Sequence, residues 1–126
     1  MKMMNAIQIP GKGEKMRLVD IPVPQPGEGQ VHLRVEACGV CNGDSIAISG
    51  FAPEYPRIPG HEVIGIVKEL GAGSIQWKVG QRVGIGGHGG NNHVTGLTMD
   101  GGYAEYMVAF EDRRCCAANV CRRDHL

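Results

Sequence analysis

Aromatic side chains are scarce in this 126-residue chain, which has one Trp, three Tyr and two Phe. Net charge is missing: 13 Lys and Arg balance 13 Asp and Glu. A neutral chain lacks the electrostatic footprint that binding to nucleic acid or an anionic membrane surface requires. Long apolar runs are missing too, and none approaches the roughly 18 residues of a membrane helix. Residues 1–10 carry one Lys and no continuous apolar stretch, so they do not read as a secretory leader. The cysteines number five, and an odd count with no sign of secretion favours metal or thiol chemistry over a disulfide scaffold. A cytosolic chain is expected. The length admits one domain and excludes two full ones.

Glycine is what the chain has in excess, 20 residues, roughly twice the usual share of about 7%. Many glycines with little aromatic mass suggest a turn-rich β structure. Short strand-like runs bear this out: Ala6 to Ile9, Met16 to Ile21, Gln30 to Ala37, Glu62 to Leu70, Gln81 to Ile85 and Tyr103 to Val108. Pro22, Pro24 and Pro26 make an extended connector, because three prolines so close exclude helix and central strand. The run Gln30 to Ala37 alternates, which places Val31, Leu33, Val35 and Ala37 inside and His32, Arg34 and Glu36 outside. Glu62 to Leu70 is β-branched and is the best candidate for a buried strand, with Gly65 marking a bulge or a close backbone approach. Asp44 to Ser49 has room for one or two helical turns.

Two constellations can carry chemistry. One is Cys38-Gly39-Val40-Cys41 followed by Asn42-Gly43-Asp44; the other is Gly60-His61-Glu62. Cys, His and carboxylate are all zinc ligands, and a catalytic zinc takes three of them and keeps one position open. Asp44 can hold the second ring nitrogen of His61. The residue types alone leave open a plainer reading, in which Cys41 is a small buried hydrophobe and His61 a satisfied loop histidine. A C-x-x-C at 38–41 also raises thiol–disulfide chemistry, but the thioredoxin-like βαβ setting is missing. Gly84 to Gly89 fits G-x-G-x-x-G, yet no helical period follows to hold a pyrophosphate. His88, His93 and His125 read as solvent-facing, and Cys115, Cys116 and Cys121 have no partner at a finger-like spacing.

Gly60-His61-Glu62, then Gly65, Gly71 and Ser74, match in full the signature of the zinc-containing alcohol dehydrogenases. Ala37 to Cys41, Trp77 to Val83 and Asp100 to Tyr106 also resemble that medium-chain dehydrogenase/reductase family, in its usual order. The resemblance covers about Met4 to Ala109. It implies a mainly β fold: the family's N-terminal GroES-like domain over 1–109, a partly open β-barrel with one short helix. It implies that Cys41 and His61 are two ligands of a catalytic zinc. Glu62 would be the adjacent glutamate that enters the metal shell in some members, and Asp44 the carboxylate that orients the histidine. The implied reaction is NAD(P)-dependent oxidation of a small-molecule alcohol to an aldehyde or ketone.

Several departures qualify that expectation. Position 43 is normally Ser or Thr and here is Gly43. The third zinc ligand and the cofactor-binding domain have no counterpart, so Cys41, His61, Glu62 and water would make only a partial zinc site. The chain is then expected not to turn over alcohol alone. The alternative is a non-catalytic zinc-binding or interaction module, meeting a cofactor-domain chain or a second copy through exposed apolar surface. The family's structural zinc lobe has no counterpart here and reads as cut out near 90–91. Residues 110–126, basic and cysteine-rich, read as an irregular tail such as a shifted reading frame would produce.

Overall fold

The computed structural model describes residues 1–87, 89 and 92–111. Six strands lie along them: β1 (Met3–Gln8), β2 (Arg17–Pro22), β3 (Gln30–Cys38), β4 (Val63–Leu70), β5 (Arg82–Ile85) and β6 (Tyr106–Phe110). Between β3 and β4 a three-residue 3-10 turn (Asn42–Asp44) runs into a single short helix, α1 (Ser45–Ile48). No helix among the described residues is long and apolar enough to cross a membrane. β1 and β2 form an antiparallel pair, and β5-β4-β3-β6 form an antiparallel four-stranded sheet. The two sheets meet where Ile7 N–H donates to Tyr103 O at 2.7 Å and Glu105 N–H to Asn5 O at 3.1 Å. Neither sheet closes on itself. The architecture is the expected mainly β, partly open barrel.

Period-two patterning explains the central sheet. In β4, Val63, Gly65 and Val67 turn inward while Ile64, Lys68 and Glu69 are exposed. The inward residues pack with Val31, Leu33, Trp77, Val83, Ile85, Met107 and Ala109 in the main core. Gly65 has the role its position suggested. The register between β3 and β4 slips between Val35 and Ala37, opposite Gly65 and Ile64. A Cβ on Gly65 would stand 2.9 Å from the Arg34 carbonyl oxygen, so only glycine lets β3 bulge against it.

The strict alternation expected for β3 does not hold. A second register slip falls between His32 and Leu33, and Val31, His32 and Leu33 are all buried while Ala37 is exposed. His32 is therefore not a surface residue. Its ring packs on Tyr106 of the neighbouring strand at 5.1 Å between centroids. Burial pushes its imidazole below the usual histidine range, partly opposed by Glu69, because charging a ring there means desolvating it.

The last strand also starts later and ends later than expected. Phe110 completes β6, and Glu111 is tied into the fold. One Glu111 carboxylate oxygen accepts from the N–H groups of Ile75 and Gln76 at 2.9 and 2.7 Å, and the other from Trp77 at 3.1 Å. Three consecutive N–H groups on one carboxylate hold the turn that delivers Trp77 to the core. Charge-assisted bonds of this kind are worth about 1.5–3 kcal/mol each when desolvated. With this site partly open to water, Glu111→Ala should cost about 2 kcal/mol in urea unfolding followed by Trp77 fluorescence. A loss under about 0.5 kcal/mol would mean that water serves those N–H groups equally well. The rest of the tail, including Cys115, Cys116, Cys121 and His125, lies outside the described residues, as do His88 and the 90–91 junction.

Candidate metal centre

The site forms where the end of β3, the 3-10 turn and the loop before β4 converge. Cys41 caps the 3-10 turn: its backbone is extended and its sulfur accepts from Gly43 N–H at 3.5 Å. The reciprocal bond runs from Cys41 N–H to Asp44 Oδ2 at 3.1 Å. Together they form a capping box with sulfur in the place usually taken by a hydroxyl. α1 is fixed behind it by Tyr55, whose hydroxyl donates to the Ala47 carbonyl at 2.7 Å, and by Ala47 packing against Ile9 and Ala52.

Asp44 is the hub. Its side chain is buried. Oδ2 accepts from Cys41 N–H and from the Tyr103 hydroxyl at 2.6 Å. Oδ1 lies 3.1 Å from His61 Nδ1, within ion-pair distance but out of line for a hydrogen bond, and has no other partner. His61 arrives on a loop fixed from below. Arg57 Nη1 and Ile58 N–H both donate to Asp100 Oδ1, at 3.1 and 3.0 Å. Gly101 N–H donates to Ile58 O at 2.7 Å and Gly102 N–H to Gly60 O at 3.1 Å.

The structure brings Cys41 and His61 together over Gly43. A Cβ at position 43 would lie 2.8 Å from His61 Cε1, 3.2 Å from Nε2 and 3.8 Å from Cys41 Sγ. The missing side chain leaves the gap between the two donors open, and the hydroxyl usual in the family could not enter without moving the imidazole. A thiolate and a ring nitrogen whose opposite nitrogen faces a carboxylate are donors that zinc takes. This pair fits the metal. Glu62 is exposed, and its Oε2 would stand 2.9 Å from a Cβ on Gly39. Among the described residues no three His, Cys, Asp or Glu side chains gather into a metal-binding group.

A cavity of about 220 Å³ opens beside the pair, lined among others by Gly43, Ile46, His61, Thr95 and Leu97. A larger one, about 310 Å³ near Met4, Ile58 and Tyr106, has neither Cys nor His in its wall, so the smaller is the one adjoining the chemistry. Cys38 is set apart from this pair, packed against the main core. Burial pushes its thiol upward, and both Cys38 and Cys41 are free. A raised thiol is a poor nucleophile, which argues against thiol–disulfide exchange. The Gly84–Gly89 stretch leads into turns and the isolated Thr95–Met99 bridge, with no helix after it among the described residues. His93 is half-buried and stacks on Phe110 at 5.3 Å, rather than facing solvent. Sequence reasoning gave Tyr103, Arg57 and Asp100 no role in the site, although Asp100 and Tyr103 lie in a stretch that resembles the family, because their partners lie 59, 43 and 42 residues away.

The family model for the alcohol dehydrogenase GroES-like domain matches residues 27–122. Alcohol dehydrogenase patD of Aspergillus clavatus is 39% identical over 111 residues, covering 74% of this chain and 29% of its own length. Acryloyl-coenzyme A reductase of Sulfurisphaera tokodaii is 37% identical over 114 residues, covering 89% of this chain and 31% of its own length. The cobalt- and zinc-bound thermostable alcohol dehydrogenase of Pyrobaculum aerophilum superposes with a TM-score of 0.74 at 31% identity, over 86% of this chain and 40% of that one. The chain thus spans about a third of the length of the relatives it matches. With the Gly60-His61-Glu62 signature set beside Cys41 in an open β-barrel, the match over 27–122 makes this chain a member of the alcohol dehydrogenase GroES-like domain family, the N-terminal domain of the medium-chain dehydrogenases/reductases.

Proposed function

We propose that this domain is the metal-holding part of a zinc-dependent, NAD(P)-linked alcohol dehydrogenase. The observation that carries the reading is the meeting of Cys41 and His61 over Gly43, with Asp44 behind the imidazole and a cavity alongside. Cys41 would bind through its sulfur and His61 through Nε2. Bound zinc would make an alcohol hydroxyl more acidic, as it does water. The protein's own contributions are three. Gly43 N–H supports negative charge on the Cys41 sulfur. Asp44 favours the proton on His61 Nδ1, which leaves Nε2 free to bind. Ile46, Val94 and Leu97 give the cavity an apolar wall suited to the carbon chain of an alcohol.

Glu62 is the nearest further carboxylate in sequence and would need to swing away from Gly39 to join. Nothing among the described residues forms the strand–turn–helix unit that cradles a dinucleotide, so other residues must present the nicotinamide. The patD alignment is longer than the stretch of this chain it takes in, which supports the reading that a segment such as the structural zinc lobe is missing here.

Zinc content and NAD(P) reduction, measured on one sample with simple alcohols, test the proposal. The expected result is about one zinc per chain and no turnover above a Cys41→Ala control. Absence of bound zinc would overturn it. A second reading, an interaction module, draws on the apolar side chains of Val40, Ile46 and Phe51, which are 86, 47 and 75% exposed. Exposed apolar surface of this kind would suit a cofactor-domain chain or a second copy.

A further inference from the structure

We infer that Tyr103 is a positioning residue for the metal centre, acting through Asp44 to fix which nitrogen of His61 is free to bind. The inference rests on the zinc reading above. Asp44 has two oxygens with different duties. Oδ2 holds two donors, the Tyr103 hydroxyl at 2.6 Å and Cys41 N–H at 3.1 Å. Oδ1 holds none in line, is fully buried, and has His61 Nδ1 at 3.1 Å. A buried carboxylate oxygen without a donor is costly, and the proton that relieves it is the one on Nδ1. That proton assignment leaves Nε2 bare, next to the gap over Gly43 and within reach of the Cys41 side.

Rotation of the Asp44 carboxylate would undo this, because it would carry Oδ1 away from His61 Nδ1. The 2.6 Å bond from Tyr103 opposes that rotation, and its length is that of a charge-assisted O–H···O⁻ bond. Burial and the Asp44 contact both push the Tyr103 hydroxyl well above the usual tyrosine range, so it stays a donor at any physiological pH. The ring is held independently, packed with Met4, Ala6, Val23 and Ile58. Its aromatic body therefore serves the core while the hydroxyl serves the site, and the two duties can be separated by one substitution.

Tyr103→Phe keeps the ring and removes the donor. In the metal-free chain at pH 8, imidazole nitrogen NMR shifts, with His61 assigned by comparison with His61→Gln, should show His61 protonated mainly at Nδ1. Tyr103→Phe should shift His61 toward a mixture of the two forms. Cobalt(II) titration followed by the thiolate charge-transfer band should show a roughly tenfold weaker affinity for Tyr103→Phe, the lower end of what loss of a supporting hydrogen bond costs a metal site. A purely structural role would lower the unfolding midpoint and leave the tautomer unchanged. Equal tautomer populations and equal cobalt affinity in parent and variant would overturn the inference. If the parent chain binds no cobalt while the tautomer shift is seen, the positioning role stands and the metal reading falls.

Discussion

A chain carrying Gly101→Ala should fail to reach the folded state, or reach it with at least about 4 kcal/mol less stability. A Cβ at this position would fall within the carbonyl oxygen of Gly60, 2.8 Å from the Pro59 oxygen and 2.9 Å from Gly96 Cα. Every neighbour is backbone, so no side chain can swing aside. Two segments are clamped there by backbone bonds, Gly101 N–H to Ile58 O at 2.7 Å and Tyr103 N–H to Pro59 O at 3.1 Å, and separating them to admit a methyl group would break both. Since a domain of this size has only about 5–15 kcal/mol in hand, that loss is most of the total. Gly73→Ala is the contrast: nothing lies within 4 Å and only its φ of +78° resists, so about 1 kcal/mol is expected. Soluble yield and urea unfolding of the two variants check the pair. Equal stabilities would show that the 58–60 and 101–103 segments can part without cost. The clamp also carries the site, because the residue that follows Gly60 is His61.

How much of this was visible in the chain depends on the range of the interaction. Strand β4 was legible because it is a short, mostly apolar run rich in β-branched residues. The bulge at Gly65 was legible because an isolated glycine in such a run has few other uses. Cys41, His61 and Asp44 were legible as types, and their convergence came from a long signature rather than from local pattern. The burial of His32 was not legible. It depends on a one-residue slip against β4, and a slip of one residue exchanges the faces of a strand. Tyr103 was read as the start of a strand, yet its hydroxyl serves a carboxylate 59 residues earlier. Glu111 looked like part of a tail of different character, though its carboxylate completes a turn 34 to 36 residues before it. Polar groups that satisfy distant backbone leave no periodic trace, and they are what the sequence conceals here.

The other large effect falls on metal affinity. Cys41→Ala and His61→Ala should each weaken zinc or cobalt binding by about a hundredfold or more. Structural zinc sites with four protein ligands bind with about 10–16 kcal/mol, so one ligand accounts for about 3 kcal/mol, and a tenfold change is about 1.4 kcal/mol. Here two donors converge, so removing either leaves a single anchor. Glu62→Gln should cost less than about fivefold, since the carboxylate lies against Gly39 instead of joining the pair. The order is what discriminates. If Glu62→Gln matched the other two, the loop would rearrange on binding to bring the glutamate in, and three protein ligands would hold the metal. If neither Cys41→Ala nor His61→Ala changed the affinity, the metal would sit elsewhere and the convergence over Gly43 would be only packing.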